Sequence, residues 1–143
     1  MKQILLLLAI GLALWVKPVS AQAPAPAPTL SGAAHQAVIS AQVEAFQADD
    51  FVRAFSYASP TIRDLFRTPE NFAAMVKRGY PMVWRTRDLH YLEARSIAGA
   101  LWQKVLVTDA KGERFLLDYR MIRIGGRWRI DAVQMLTLPD VAA

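Results

Sequence analysis

The residues that most restrict the fold of this chain are Phe115 to Leu136, FLLDYRMIRIGGRWRIDAVQML, two runs of aliphatic and aromatic residues joined by Gly125 and Gly126. Both central residues of the favoured two-residue hairpin turn need positive φ, which glycine adopts without steric penalty, so the pair predicts a β-hairpin. The turn sets the register: Ile124 faces Arg127, Arg123 faces Trp128, Met121 faces Ile130 and Tyr119 faces Ala132. Directly opposed residues of an antiparallel pair share a face. One face is then expected to carry Phe115, Leu117, Tyr119, Met121, Trp128, Ile130 and Ala132. The other carries Arg114, Asp118, Arg120, Arg127, Arg129 and Asp131, interrupted by Leu116, Ile122, Ile124, Val133 and Met135. A nearly all-apolar face needs a cover, and a helical first half is the cover available.

Two further strands precede the hairpin. At Tyr80-Pro81 the hydrophobic period changes from helical to alternating, giving strands over about Val83 to Arg95 and Leu101 to Asp109. Ala110-Lys111-Gly112 fits a three-residue loop with Gly112 left-handed, which pairs Val107 with Phe115, Val105 with Leu117 and Gln103 with Tyr119. A four-residue loop would set Val107 against Arg114, so the hydrophobic pattern selects the shorter one. In the first strand two faces compete for the interior. Leu89 and Tyr91, the apolar pair at its middle, favour their own side inward and leave Asp88 and His90 outside.

The first half reads as helices. Ala33 to Ala48 contains no Gly or Pro and repeats Ile39, Val43 and Phe46 at helical spacing, with Gln42 on the same side. His35 falls on a polar part of this helix and is expected at the surface. Asp49 and Asp50 interrupt the helix and can cap a second one bearing Phe51, Ala54, Phe55 and Ala58. Ser59-Pro60 and Thr68-Pro69 repeat one signal, a hydroxyl N-cap followed by Pro at the first helical position. They start segments that turn Ile62, Leu65 and Phe66, then Phe72, Met75 and Val76, inward. The fold class expected is α+β: N-terminal helices packed on a curved antiparallel sheet of about four strands, one domain over residues 33–138.

What comes before that domain points to export. Lys2, the thirteen-residue apolar run Ile4 to Val16 and the small-x-small site ending at Ala21 describe a signal peptide over residues 1–21, cut after Ala21. As a helix the run reaches about 20 Å against a hydrocarbon core of about 30 Å, so contact with the membrane is expected only in transit. Residues 22–32, rich in Ala and Pro, read as an extended linker. The expected location is periplasmic or secreted. The chain has no Cys, which excludes disulfides, thiolate metal sites, Cys nucleophiles and a Cys-borne lipid anchor. Without Lys2 and Lys17 the chain holds 15 basic and 12 acidic residues, a net charge of +3. The densest basic cluster, Lys77, Arg78, Arg85 and Arg87, straddles a helix end and a strand start, where cations complement the helix dipole, so no nucleic-acid partner is expected.

Acid-base chemistry in such a domain needs a carboxylate or His desolvated inside it. Asp88 and His90, two apart on one strand face, form the one candidate dyad. Asp118 and Asp131 fall on the outer face, Asp131 directly across from Arg120 as an exposed ion pair. No Asp, Glu or His spacing repeats a known metal loop, so neither metal nor cofactor is expected. Gln103 and Tyr119 are placed inside, opposite each other, and Tyr91 beside them. They are candidate anchors of an apolar pocket whose mouth Tyr57, Tyr80 and Trp84 would edge.

Helices followed by a curved sheet ending in Gly-Arg-Trp-Arg-Ile-Asp-Ala-Val resemble the nuclear transport factor 2-like superfamily, the cystatin-like α+β cones. The chain is also similar to a bacterial family of exported proteins described as a domain of unknown function. Gln42 with Ala45-Phe46, the run Ala54 to Pro60, Phe72 with Met75-Val76, Gly79-Tyr80-Pro81, Gln103, Gly112, Tyr119 and Trp128-Arg129-Ile130 with Val133 carry the likeness. The resemblance implies a sheet wrapped into a cone with a helix across its mouth, and an interior that is a ligand pocket in some members and plain core in others. Fold alone selects no activity. The reading favoured is a non-catalytic binding or accessory module for a small apolar ligand or a protein partner. A homodimer is expected through the outer face at Leu116, Ile122, Ile124, Val133 and Met135. The alternative is a small isomerase- or hydrolase-like enzyme using Asp88 and His90.

Overall fold

Three of the helix starts are written in the residue before them. The computed structural model describes residues 32–138, so the expected signal peptide and all of the linker but its last residue lie outside the described residues. Helices α1 (Gly32–Gln47), α2 (Phe51–Ser56), α3 (Pro60–Phe66), α4 (Pro69–Gly79) and α5 (Pro81–Trp84) lead into strands β1 (Thr86–Ile97), β2 (Ala100–Asp109), β3 (Arg114–Ile124) and β4 (Arg127–Leu136). The side chains of Asp50, Ser59 and Thr68 accept the amides of Arg53, Ile62 and Asn71, satisfying first-turn donors that have no partner inside the helix. Each of α3, α4 and α5 has Pro at its start.

The first strand begins later than the alternating pattern suggests. Pro81 opens the one-turn helix α5, which buries Met82 and Val83, and the Thr86 hydroxyl donates to both of their carbonyls. Proline has no amide to give to a ladder but suits a first helical position, so these two apolar residues are buried by a turn of helix.

The strands form one antiparallel sheet in the order β1-β2-β3-β4. Gly112 takes φ 88, and the β2–β3 register pairs Val107 with Phe115, Val105 with Leu117 and Gln103 with Tyr119. The hairpin register holds from the Gly-Gly turn as far as Met121 opposite Ile130 and then slips by one residue. Asp131 is the extra residue, Arg120 faces Ala132, and Tyr119 faces Val133, not Ala132. Val133 and Met135 therefore belong to the inner face, against the sequence expectation, because a one-residue slip exchanges the faces of everything beyond it.

The bulge has a tertiary cause. The Tyr57–Ser59 segment pairs with the β4 edge: the Ile130 amide donates to Tyr57 O at 2.9 Å and the Ser59 amide to Ile130 O at 2.8 Å. Asp131 then accepts the Ser59 hydroxyl at 2.7 Å and the Arg120 guanidinium at 2.9 Å. Its ion pair with Arg120 forms, but from the bulge and not from a directly opposed position.

Helix α1 crosses the inner face, where Ile39, Phe46, Val105, Val107, Leu117, Tyr119 and Met121 make the deepest core. Phe46 and Phe55 pack on Phe72 with ring centroids 5.8 and 5.2 Å apart. Asp118 is 5 % exposed on the outer face, held by two hydrogen bonds from Arg95 at 2.9 and 2.8 Å.

Candidate ligand cavity

The bulge and the short helices leave a hollow. A cavity of about 250 Å³ lies between the α3–α4 pair and the β3–β4 strands, under one side of α1. Ile62, Leu65 and Phe66 of α3 form one wall, and Phe72, Met75 and Val76 of α4 another. Tyr119, Ile130 and Val133 supply the floor and Gln42 and Phe46 the side beneath α1. Leu65, 69 % exposed, marks the mouth. No charged residue lines it. Val133 reaches it only because the bulge turns that residue inward.

Three polar side chains meet the cavity. The Tyr80 hydroxyl donates to Val133 O at 3.0 Å and is thereby committed. Gln42, 4 % exposed, donates its amide nitrogen to Ala54 O at 3.1 Å, which leaves its carbonyl oxygen to accept. Tyr119 is 1 % exposed, and its hydroxyl bonds no other described residue. Among the described residues no buried polar side-chain atom is sealed off without a partner. Tyr119 lines the cavity from the sheet side. Burial, reinforced by Tyr91 and Tyr80 nearby, pushes this phenol far above its ordinary pKa and keeps it a donor.

Of the six residues expected at a ligand site, the structure brings Tyr80 and Tyr119 together at the cavity. The other four serve elsewhere. Tyr57 accepts from the Arg53 guanidinium at 3.3 Å. The Trp84 indole donates to Asp49 at 2.8 Å, with Arg85 stacked 4.2 Å above its ring. Tyr91 bonds Ser40 at 2.5 Å and donates to Gln36 O at 2.7 Å.

Gln103 is fully buried in a network that includes His35, which is 2 % exposed and not at the surface as expected. The Gln103 amide nitrogen donates to Leu92 O at 3.0 Å and Lys104 O at 2.8 Å, so its oxygen faces His35 Nε2 at 2.7 Å and must accept. His35 accordingly carries a proton on Nε2, and its ring stands edge-on to Trp128, centroids 5.8 Å apart.

Asp88 and His90 do meet, at 2.8 Å, but on the outer face with side chains 55 % and 63 % exposed. Leu89 and Tyr91 take the inner side, opposite Val107 and Val105. Leu116, Ile122 and Ile124 keep the outer face and Val133 and Met135 leave it. Among the described residues no group of three His, Asp or Glu could hold a metal ion.

Gln42, Phe72, Met75 and Val76 look like ordinary core stripes in sequence, and nothing in a helical period distinguishes a filled interior from a hollow one. A family model described as "Domain of unknown function (DUF4864)" matches residues 29–143. No curated protein and no solved structure matches the chain.

Proposed function

The chain belongs to the DUF4864 family of domains of unknown function, and on that premise we propose that it is an exported, non-catalytic binding module for a small apolar ligand. It would share the cone architecture of the nuclear transport factor 2-like superfamily. The observation carrying this reading is the cavity of about 250 Å³, walled by aliphatic and Phe side chains where a plain core would be filled. A hollow lined by unpaired apolar atoms forgoes dispersion contacts, and a ligand of matching shape restores them. The enzyme alternative finds less support, since the Asp88–His90 pair stands in solvent on the opposite side of the sheet. Export rests on Lys2, the run Ile4 to Val16 and Ala21.

Thermal unfolding with propylbenzene tests the cavity. At about 100 times its dissociation constant a ligand adds about 2.7 kcal/mol of stability. Met75→Trp, which intrudes on the hollow from a half-buried wall position, should reduce the shift while leaving the protein folded. An unchanged melting temperature in the parent protein at saturating propylbenzene sinks the reading. For export, N-terminal sequencing of the cell-fractionated protein should read from Gln22. A second, separable proposal is self-association through Ile122 and Ile124, because Ile124 is 45 % exposed on the outer face. Sedimentation of Ile124→Lys against the parent reads it, and identical masses remove it.

A further inference from the structure

Resting on the cavity reading, we propose that its ligand class is a neutral, mostly hydrocarbon molecule of about ten non-hydrogen atoms bearing one hydroxyl, such as an alkylphenol or a medium-chain alcohol. That hydroxyl accepts from Tyr119 and donates to Gln42. Size sets the first limit: a dry cavity of about 150 Å³ accommodates benzene, so one of about 250 Å³ takes a molecule somewhat less than twice as large. The wall chemistry sets the second. No Lys, Arg or His lines the cavity, so a carboxylate would lose its hydration with a single phenol in return. No Asp or Glu lines it either, which rejects an ammonium group in the same way.

The third limit comes from the two polar groups left over. Tyr119 is 1 % exposed and its hydroxyl has no partner among the described residues; the Gln42 side chain is 4 % exposed with its nitrogen committed to Ala54 O. A protonated phenol offers a hydrogen, and an amide oxygen whose nitrogen is already engaged offers lone pairs. A hydroxyl answers both at once, which neither a ketone, an ether nor a hydrocarbon does. A bound water can fill the same role in the free protein, and a ligand hydroxyl that displaces it keeps both hydrogen bonds.

Three probes of nearly one size separate the alternatives: 4-propylphenol, propylbenzene and 4-methylbenzoate, titrated into the protein and into Tyr119→Phe by calorimetry and by amide chemical shifts. The phenol is expected to bind the parent protein and to lose roughly 5- to 10-fold in affinity in Tyr119→Phe, the range of one hydrogen bond. Propylbenzene should bind both proteins alike, and the benzoate should bind at least about 100-fold more weakly than the phenol, as an uncompensated buried charge requires. Because the Tyr119 hydroxyl bonds none of the described residues, Tyr119→Phe should unfold at the same denaturant concentration as the parent at neutral pH, so a lost affinity is not a lost fold. Propylbenzene binding with a phenol affinity indifferent to Tyr119→Phe overturns the hydroxyl assignment and leaves the apolar cavity standing. Equal affinity for benzoate and phenol also overturns it. If no probe shifts the amides of Tyr119 and Val133, the cavity reading itself fails.

Discussion

Replacing Gln103 with leucine removes an acceptor from the buried His35 and a donor from two part-buried main-chain carbonyls, Leu92 and Lys104. Orphaned buried polar groups cost about 1–3 kcal/mol each, so Gln103→Leu should lower unfolding stability by at least that much in a urea titration. The placement of Gln103 followed from its register against Tyr119, which the three-residue loop dictates. His35 was not legible, because one polar residue near a helix start normally faces water; its burial depends on a partner 68 positions away. Tyr119 gives a pH test. Its native pKa lies above the unfolded phenol's value of about 10, so its contribution is complete below that pH. As pH rises past about 10 the unfolded chain releases a proton the native state keeps, and stability should fall by up to about 1.4 kcal/mol per pH unit. Tyr119→Phe should flatten that alkaline slope, leaving the smaller part due to Tyr91, whose pKa burial also raises.

Among the elements, α3 is the least anchored. It contains no fully buried residue, and it ends at Arg67, whose φ of 69 places a γ-turn between Phe66 O and the Thr68 amide at 2.8 Å. Such turns are strained in residues other than glycine. Amide hydrogen exchange in α3 should therefore be far faster than in β2 and β3, which carry the core. Ser59 ties α3 to the sheet twice, capping the Ile62 amide and donating to Asp131. Ser59→Ala should cost about 1–2 kcal/mol in denaturant unfolding, combining a lost cap with a lost hydrogen bond to a carboxylate. The Ser-Pro and Thr-Pro caps and the Gly-Gly turn were readable because they are local. The bulge at Asp131 was not, since Ser59 and the Tyr57 carbonyl, which hold it open, come from a segment more than 70 residues earlier in the chain, Ser59 being 72 positions from Asp131. That single slip moved Val133 from the outer face to the wall of the cavity.

For the whole molecule, helices on one face of a four-stranded antiparallel sheet follow from patterning alone: the period change at Tyr80-Pro81 divides the layers, and shared apolar faces align three strands. Whether the interior is filled was not written in that pattern. The hollow results from short helices reversing at Asp50, Ser59 and Thr68 and from the bulged strand that faces them. A ligand seated there would contact α3, α4 and β4 at once. The direct test is an isotope-filtered NOE experiment on the protein saturated with 4-propylphenol and labelled at methyl groups. Cross-peaks from the propyl chain to Ile62, Val76 and Val133 are expected together. Cross-peaks confined to Leu116, Ile122 and Ile124 would place binding on the outer face and contradict the cavity as the binding site.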